Sequence, residues 1–433
     1  MCPNCSPDMK RRKFLEITSL GSAGVASSLY IPTAPQDRKL RVGLIGSGWY
    51  GMVDLKAALK VGGVEIIAIC DVDSDHLSKS ADELEKLQGS KPRTFKNYGD
   101  LLDIKGMDAL FIGTIPHWHA LQFIAACEKG LDIYCEKPLA YDVKEGLAMV
   151  NAANKAGNIV QVGFQRRQAA SFRKAKELLE SGRIGTVLEI VAQIHYNPVP
   201  QDTKIQPPPV SFDWEEWCGP APKLDYRPSI GHMSWRLEKE YGNGHLVDWG
   251  IHHIDIIRKI MDVGMPEEVY ASGGIFTLRD QITTPDTLTA RFKFSGVPVT
   301  WQHRLWGPGD VTREFNNGIF FYGEKGTLFA DDSKVIIFPA GKDSKREDLS
   351  VPTPQMQEKH VENFLTAVRA KDKSLINCTI DDAFRSTATV QLAMISYNTG
   401  SIVRWDQKNN WITGNPAAEA LLKREYRGKY RHP

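Results

Sequence analysis

The chain reads as an α/β protein in two parts: a doubly wound parallel sheet, then an α/β segment built on a mainly antiparallel, open sheet. Three observations predict this. Between Arg41 and Val162, short apolar runs alternate with helix-length amphipathic stretches, the rhythm of strand and crossover helix. A glycine-rich turn stands where the first run gives way to its helix. From Val269 to Phe338 the apolar runs shorten and are separated by Gly, Pro, Asp or Lys, as antiparallel strands are.

At 433 residues the chain has room for a sizeable core in each part. A net charge of +2 with both signs interspersed gives no field for nucleic acid. No run approaches the ~20 apolar residues of a membrane span. The seven scattered cysteines do not make the disulfide framework of a small secreted domain; Cys70, Cys127 and Cys135 fall in apolar patterns and are expected to be buried thiols. Cys2 and Cys5 form a C-x-x-C with no second pair to complete a zinc site. They precede a segment in which Lys10, Arg11, Arg12 and Lys13 lead into a mildly apolar stretch from Ile17 to Ile31, rich in Gly, Ala and Ser, with small residues near Ala26 and Ala34. This resembles a twin-arginine export signal. Residues 1–36 are therefore set apart from the fold, and a periplasmic or otherwise exported location is expected.

The fold proper begins with Val42, Leu44 and Ile45, a buried strand, followed by Gly46, Ser47, Gly48, Trp49, Tyr50 and Gly51 in the pattern G-x-G-x-x-G. Gly46 permits a tight turn, Gly48 admits a pyrophosphate to the backbone, and Gly51 lets the new helix pack on the strand. The phosphates would then rest on the helix N-terminus. A second apolar run, Val64 to Cys70, ends at Asp71, about 20 residues past the last glycine, where an acid reads a ribose 2′-hydroxyl. An acid there repels a 2′-phosphate, so NAD is expected and NADP is less favoured. Residues 37–163 therefore read as an NAD-binding Rossmann domain. A helix from Ser74 to Gln88, an extended piece near Thr94 and the strand Ala109 to Ile112 continue it. Thr114, Pro116 and His119 follow the carboxyl end of that strand, the edge where ligands bind in open α/β sheets, and are expected at the cofactor. His117 reads equally well as a helix-entry residue. The strand Leu131 to Cys135 ends in Glu136, Lys137 and Pro138, and the proline holds Lys137 in an extended corner above the sheet edge. A helix from Val143 to Ala156 and the strand Ile159 to Val162 complete the domain. Just after it, Gln165 is expected at the cofactor, and Arg166 and Arg167 toward a polar ligand or solvent.

Residues 164–433 form the second part, expected to bind substrate. Val187 to Tyr196 alternates like a strand, and the stretch from Asn197 to Arg227, rich in Pro and Trp, reads as a loop over a cleft. Helices from His360 to Ala370 and Ile380 to Thr399 are expected to pack beside the second sheet or the first domain. Gly242 to Asp255 starts glycine-rich and becomes helical. On a helix His245, Asp248, His252 and Asp255 share one face, with His253 pointing elsewhere. A carboxylate one turn from an imidazole orients it and stabilises its protonated form, which suits a general base. Three N and O ligands on that face also open the reading of a metal-dependent lyase or hydrolase.

Together, the glycine fingerprint with Asp71, the Glu136–Lys137–Pro138 corner and the helix carrying Asp248 and His252 resemble the glucose-fructose oxidoreductase and inositol dehydrogenase (Gfo/Idh/MocA) family. The resemblance covers nearly the whole chain after the leader. It implies a Rossmann domain followed by an α/β domain whose open sheet often mediates oligomerisation, hence a homo-oligomer, dimer or tetramer. It also implies that Lys137, Asp248 and His252 match the family's catalytic lysine, aspartate and histidine. The run from Asp213 to Pro220 and the Ser234, Trp235, Arg236 triplet resemble an exported, carbohydrate-using bacterial branch. The chemistry expected is hydride transfer between NAD and a sugar or polyol carbon, with no metal. His252 takes the hydroxyl proton, Lys137 stabilises alkoxide charge, and Asp248 hydrogen-bonds the imidazole or a neighbouring hydroxyl. Glu136 and Lys137 face the cofactor, and Arg166, Arg167, Trp235, Arg236 and His245 are candidates for substrate contact. An exported dehydrogenase meets no cytosolic nucleotide pool, so its NAD is expected to be tightly bound and recycled in each cycle. Redox-neutral glycoside cleavage, by oxidation, elimination, hydration and reduction, is the alternative outcome, and a nucleotide-binding sensor is the non-enzymatic one.

Overall fold

The computed structural model describes residues 38–433, of which Lys39–Pro433 form one compact unit. The leader-like segment, with Cys2 and Cys5, lies outside the described residues. The first sheet is six-stranded and parallel, built from β1 (Leu40–Ile45), β2 (Val64–Cys70), β3 (Arg93–Phe95), β4 (Ala109–Ile112), β5 (Asp132–Cys135) and β6 (Val160–Val162) in the order β3-β2-β1-β4-β5-β6. Crossover helices α1 (Trp49–Val61), α2 (Ser74–Gln88), α3 (Tyr98–Leu102), α4 (Pro116–Glu128) and α5 (Val143–Ala156) cover it. β4 and β5 are buried at every residue, as strands covered on both faces must be. The helices end where local chemistry ends them. Asp73 caps the start of α2 and left-handed Gly89 its end, while Asp142 and Glu145 form a reciprocal capping box at α5. The strand order reverses between β1 and β4, which opens a crevice at the carboxyl ends of the strands.

After α6 (Ala170–Glu180) and β7 (Val187–Ile194), the chain crosses a long segment that holds the short α7 (Trp214–Cys218), a one-turn helix at Trp235–Leu237 and a further helical turn at Leu246–Gly250. It then enters α8 (Ile251–Met261). The second sheet adds β8 (Glu268–Gly274), β9 (Thr287–Phe294), β10 (Val297–Arg304), β11 (Asn317–Gly323), β12 (Gly326–Ala330), β13 (Lys334–Pro339), β14 (Glu347–Ser350), β15 (Val403–Asp406) and β16 (Trp411–Ile412). Its order is β14-β13-β12-β11-β7-β10-β9-β8-β15-β16, and only the β7–β10 pair is parallel. Along β9 every second residue is buried, so Leu288, Ala290, Phe292 and Phe294 face the helices and Thr289, Arg291 and Lys293 face outward.

Two late helices tie the halves together. α9 (Met356–Ala370) lies against α1, and its Phe364 meets Phe111 and Tyr134 of the first sheet at ring-centroid distances of 5.7 and 5.8 Å. α10 (Ile380–Thr399), largely buried, runs between α5 and β8. The two sheets are thereby held on either side of the crevice. No helix among the described residues is long and apolar enough to cross a membrane.

Candidate active site

A cavity of about 1370 Å³ opens at the carboxyl edge of the first sheet and extends to the second. Its floor is the glycine turn after β1. Gly46 takes φ +89°, and a Cβ on Gly51 would lie 2.0 Å from the Gly46 carbonyl oxygen, so α1 can approach β1 only because residue 51 is glycine. Above Gly48 the space is open: a Cβ there would meet nothing nearer than His76 Nδ1 at 4.0 Å. The N-terminus of α1 has no side-chain cap, which leaves its first amides free for an anion. Asp71, at the end of β2, lines the same cavity. Its Oδ1 accepts from the Asp73 amide at 2.9 Å and its Oδ2 from the Ser47 hydroxyl at 3.3 Å. This cradle fits a dinucleotide, with Asp71 placed for a ribose.

Ser47, Trp49, Tyr50, Thr114, Glu136, Lys137 and Gln165 also line the cavity. Three other residues expected at the cofactor do not, the first being Gly51, which is buried where α1 meets β1. Pro116 is buried at the first position of α4, where its missing amide costs nothing. His119 is buried behind the wall, its ring bridging the Thr114 and Pro138 carbonyls at 3.0 and 2.9 Å. It ties the β4 exit to the Lys137 corner without reaching the cavity. His117 likewise turns inward, to the Trp217 carbonyl at 3.0 Å.

On the opposite wall, the backbone from Leu246 to Gly250 winds as a π-helical turn before α8. Such a turn shifts the register of side chains, so the four residues expected on one face part company. Asp248 and His252 line the cavity. His245 is buried against Trp301 and His303, with Nε2 at 3.1 Å from the Ile194 carbonyl. Asp255 pairs with Arg167 through both carboxylate oxygens, and Arg167 also reaches Asp382 and the Asn377 carbonyl. Arg167 and His245 are thus parts of the scaffold and not substrate contacts. Breaking a buried pair such as Arg167–Asp255 costs about 3–5 kcal/mol. With His245 withdrawn, the metal-ligand set expected of this helix does not converge.

Lys137 Nζ donates to Asp248 Oδ1 at 2.9 Å and to the Asp248 carbonyl at 2.6 Å, while Arg236 Nε lies 3.0 Å from Asp248 Oδ2. Asp248 is therefore turned to two cations, not to an imidazole as its spacing suggested. Burial alone would raise the Asp248 carboxyl, but Lys137 and Arg236 hold it below its ordinary range. Burial, then Lys137 and Arg166, push the His252 imidazole far below its usual value. It is neutral at pH 7. Glu136 behaves oppositely: burial outweighs the Lys137 cation and raises it to about 7. Its neighbour is Gly163, since any Cβ there would sit 2.1 Å from Glu136 Oε1.

Several cavity-lining side chains carry a buried polar atom without a protein partner: Glu136 Oε1, Gln165 Oε1, Arg166 Nη1, His252 Nδ1 and Asp332 Oδ1. Leaving such atoms unsatisfied costs about 1–3 kcal/mol each, which a polar ligand would recover. Trp235 and Arg236 line the cavity together with Trp249, and the Arg236 guanidinium lies over the Trp235 ring at 4.6 Å. The sequence reading missed Trp249 and Asp332. Trp249 sits in the unforeseen π-turn, and Asp332 occupies a hairpin turn where an aspartate carries no signal of its own.

The family model of the Gfo/Idh/MocA oxidoreductases with an NAD-binding Rossmann fold matches residues 40–164, and that of the Gfo/Idh/MocA C-terminal domain matches residues 172–329. The chain belongs to the Gfo/Idh/MocA oxidoreductase family. As a member it is an NAD-binding oxidoreductase. It is 36% identical over 166 residues to inositol 2-dehydrogenase 3 of Saccharopolyspora erythraea, an alignment spanning 38% of this chain and 47% of that one. With myo-inositol 2-dehydrogenase of Thermotoga maritima it shares 27% over 299 residues, 68% of this chain and 75% of the relative. Levoglucosan dehydrogenase, solved with NADH, has the same fold at a TM-score of 0.65 and 19% identity, over 85% of this chain and 99% of that one.

Proposed function

We propose that this oxidoreductase moves hydride to or from a ring carbon of a sugar or polyol and keeps its NAD bound and recycled within each catalytic cycle. The observation that carries the reading is the convergence of Lys137, Asp248 and His252 on one cavity with the glycine turn. When bound, the nicotinamide supplies the hydride acceptor. The protein supplies the proton and charge handling. A neutral His252 on the cavity wall is ready to take the hydroxyl proton as the carbon is oxidised. Two of the three Lys137 ammonium protons are held by Asp248, which leaves the third for a substrate oxygen. Asp248 positions that ammonium, and Arg236 locks Asp248 from its other side. Export through the segment of residues 1–36 is part of the same proposal, because a cofactor carried out of the cytosol must be regenerated in place. The relatives that are inositol dehydrogenases support a cyclic polyol as substrate.

Protein purified without added nucleotide should carry NAD through extensive dialysis, and a panel of hexoses and inositols should change the absorbance of that bound cofactor. His252→Ala should keep the NAD and lose roughly 10²- to 10⁴-fold in turnover. A normal rate in this variant refutes the base assignment; protein that emerges empty and binds NAD weakly refutes tight retention.

A further inference from the structure

Arg166 and Asp332 reach the cavity from opposite sides of the crevice, Arg166 from the segment after β6 and Asp332 from the turn between β12 and β13. Arg166 Nη2 lies 3.1 Å from Asp332 Oδ2, and the arginine side chain is only 8% exposed. The second nitrogen and the second oxygen of this pair, Nη1 and Oδ1, are buried with no protein partner. The pair therefore leaves one charged donor and one charged acceptor unsatisfied at the cavity wall that both residues line. The Trp249 ring lies 5.7 Å from the guanidinium, and Trp249 itself neighbours His252 with ring centroids 6.4 Å apart.

The turn does not need Asp332. Its backbone is held by Asp331, whose Oδ1 accepts from the Ser333 and Lys334 amides at 2.8 and 3.0 Å. The Arg167–Asp255–Asp382 network one residue away leaves none of its buried side-chain atoms unsatisfied, whereas the Arg166–Asp332 pair leaves two. Burial also raises the Asp332 carboxyl against the pull of Arg166, a cost that a hydroxyl donor would offset.

Resting on the proposed polyol chemistry, we infer that Arg166 and Asp332 read a vicinal diol, Arg166 donating to one hydroxyl and Asp332 accepting from its neighbour, next to the carbon served by His252. Substrates would then be cyclic polyols or sugars with an unsubstituted hydroxyl beside the reacting carbon. The test uses the NAD-loaded enzyme, the best substrate of a hexose and inositol panel, and the monodeoxy analogues of that substrate. Asp332→Asn should raise KM roughly 10- to 100-fold, the loss of a charge-assisted hydrogen bond, while kcat and NAD retention change little. Exactly one adjacent deoxy analogue should be poor for the wild type yet suffer no further loss in the variant. Arg166→Lys should weaken binding while keeping the same hydroxyl preference. Unchanged KM, or a loss spread equally over all analogues, overturns the diol assignment alone. A wild type that turns over nothing in the panel overturns the proposed function and this inference with it.

Discussion

Glu136 shows how one residue sets a pH dependence. Its carboxyl is raised to about 7 by burial, whereas in the unfolded chain it titrates near the ordinary glutamate value of about 4.3. Between those values the folded protein keeps a proton that the unfolded chain has released. The contribution of Glu136 to the unfolding free energy therefore falls as pH rises from about 4.3 through about 7, and is flat above. Glu145, also raised to about 7 by burial, adds a slope of the same sign. Buried histidines pushed below their usual value, His252 among them, contribute the opposite slope, so the Glu136 contribution is read as a difference: in protein freed of nucleotide, the excess urea midpoint of wild type over Glu136→Gln should fall over this window. Parallel curves for the two proteins would rule out a raised Glu136. Lys137, Asp248 and His252 were legible in sequence because a rare combination of residues recurs at fixed places in the strand and helix pattern. Arg166 and Arg167 were not separable there. Adjacent arginines look alike until the fold turns one toward the cavity and the other onto Asp255.

Among the elements, the segment between β7 and α8 shapes the cavity most. It is sewn to the nucleotide side of the crevice: the Ser74 amide donates to the Ser211 carbonyl at 2.9 Å, the Asp213 amide to the Val72 carbonyl at 3.2 Å, and His232 Nε2 sits 3.0 Å from Asp73 Oδ2. Phe212 stacks on His232 at 4.2 Å and packs against Trp214, Trp217 and Tyr226. From this base Trp217, His232, Met233 and Trp235 form one wall of the cavity beyond Asp71, and Tyr430 of the last segment joins them. A nucleotide seated on Gly48 and Asp71 would lie against that wall. Phe212 is buried and lies outside the cavity lining, and truncating a buried Phe costs about 3–5 kcal/mol. Phe212→Ala should therefore speed NAD release, measured after dilution by loss of bound-cofactor signal, while turnover at saturating NAD stays within a few-fold of wild type. Unchanged release would show that the wall does not hold the cofactor. The proline and tryptophan content marked this segment as a loop over a cleft, but its attachment depends on backbone groups that no side-chain pattern reports. Periodic elements were far more legible: α2 has the bounds its pattern predicts, and β9 alternates strictly within the stretch read as antiparallel strands, because each buries one face at its own period. The π-turn at Leu246–Gly250 left no trace, since its register shift uses ordinary helix residues. β14, β15 and β16 are too short to show alternation.

At the scale of the molecule, the ten-stranded sheet has α6, α8 and α10 against one face, and the other is covered only in part among the described residues, by Phe315, which packs on Phe320 and Phe329. In register, Tyr270 stands opposite Arg291, Arg291 opposite Thr300, Thr300 beside Val191, and Val191 opposite Phe320. This outward row mixes apolar and polar groups, and around it Leu188, Tyr270 and Tyr322 are 56%, 45% and 38% exposed. Strands about 4.8 Å apart make the face roughly 40 Å wide, ample for the ~800 Å² per partner of a stable interface. A flat face of this kind pairs most simply with its own copy across a two-fold axis, each patch meeting itself. The cavity lies on the helix-covered side of the sheet, with Asp248 and His252 just before or within the helix that covers it, so such pairing leaves substrate entry free. Light scattering after size exclusion should give a dimer, or a tetramer if a second surface is used. Leu188→Asp combined with Tyr270→Asp, both at exposed positions, should yield a folded monomer that still holds NAD. A monomeric wild type, or a double variant of unchanged mass, would exclude this face as the interface.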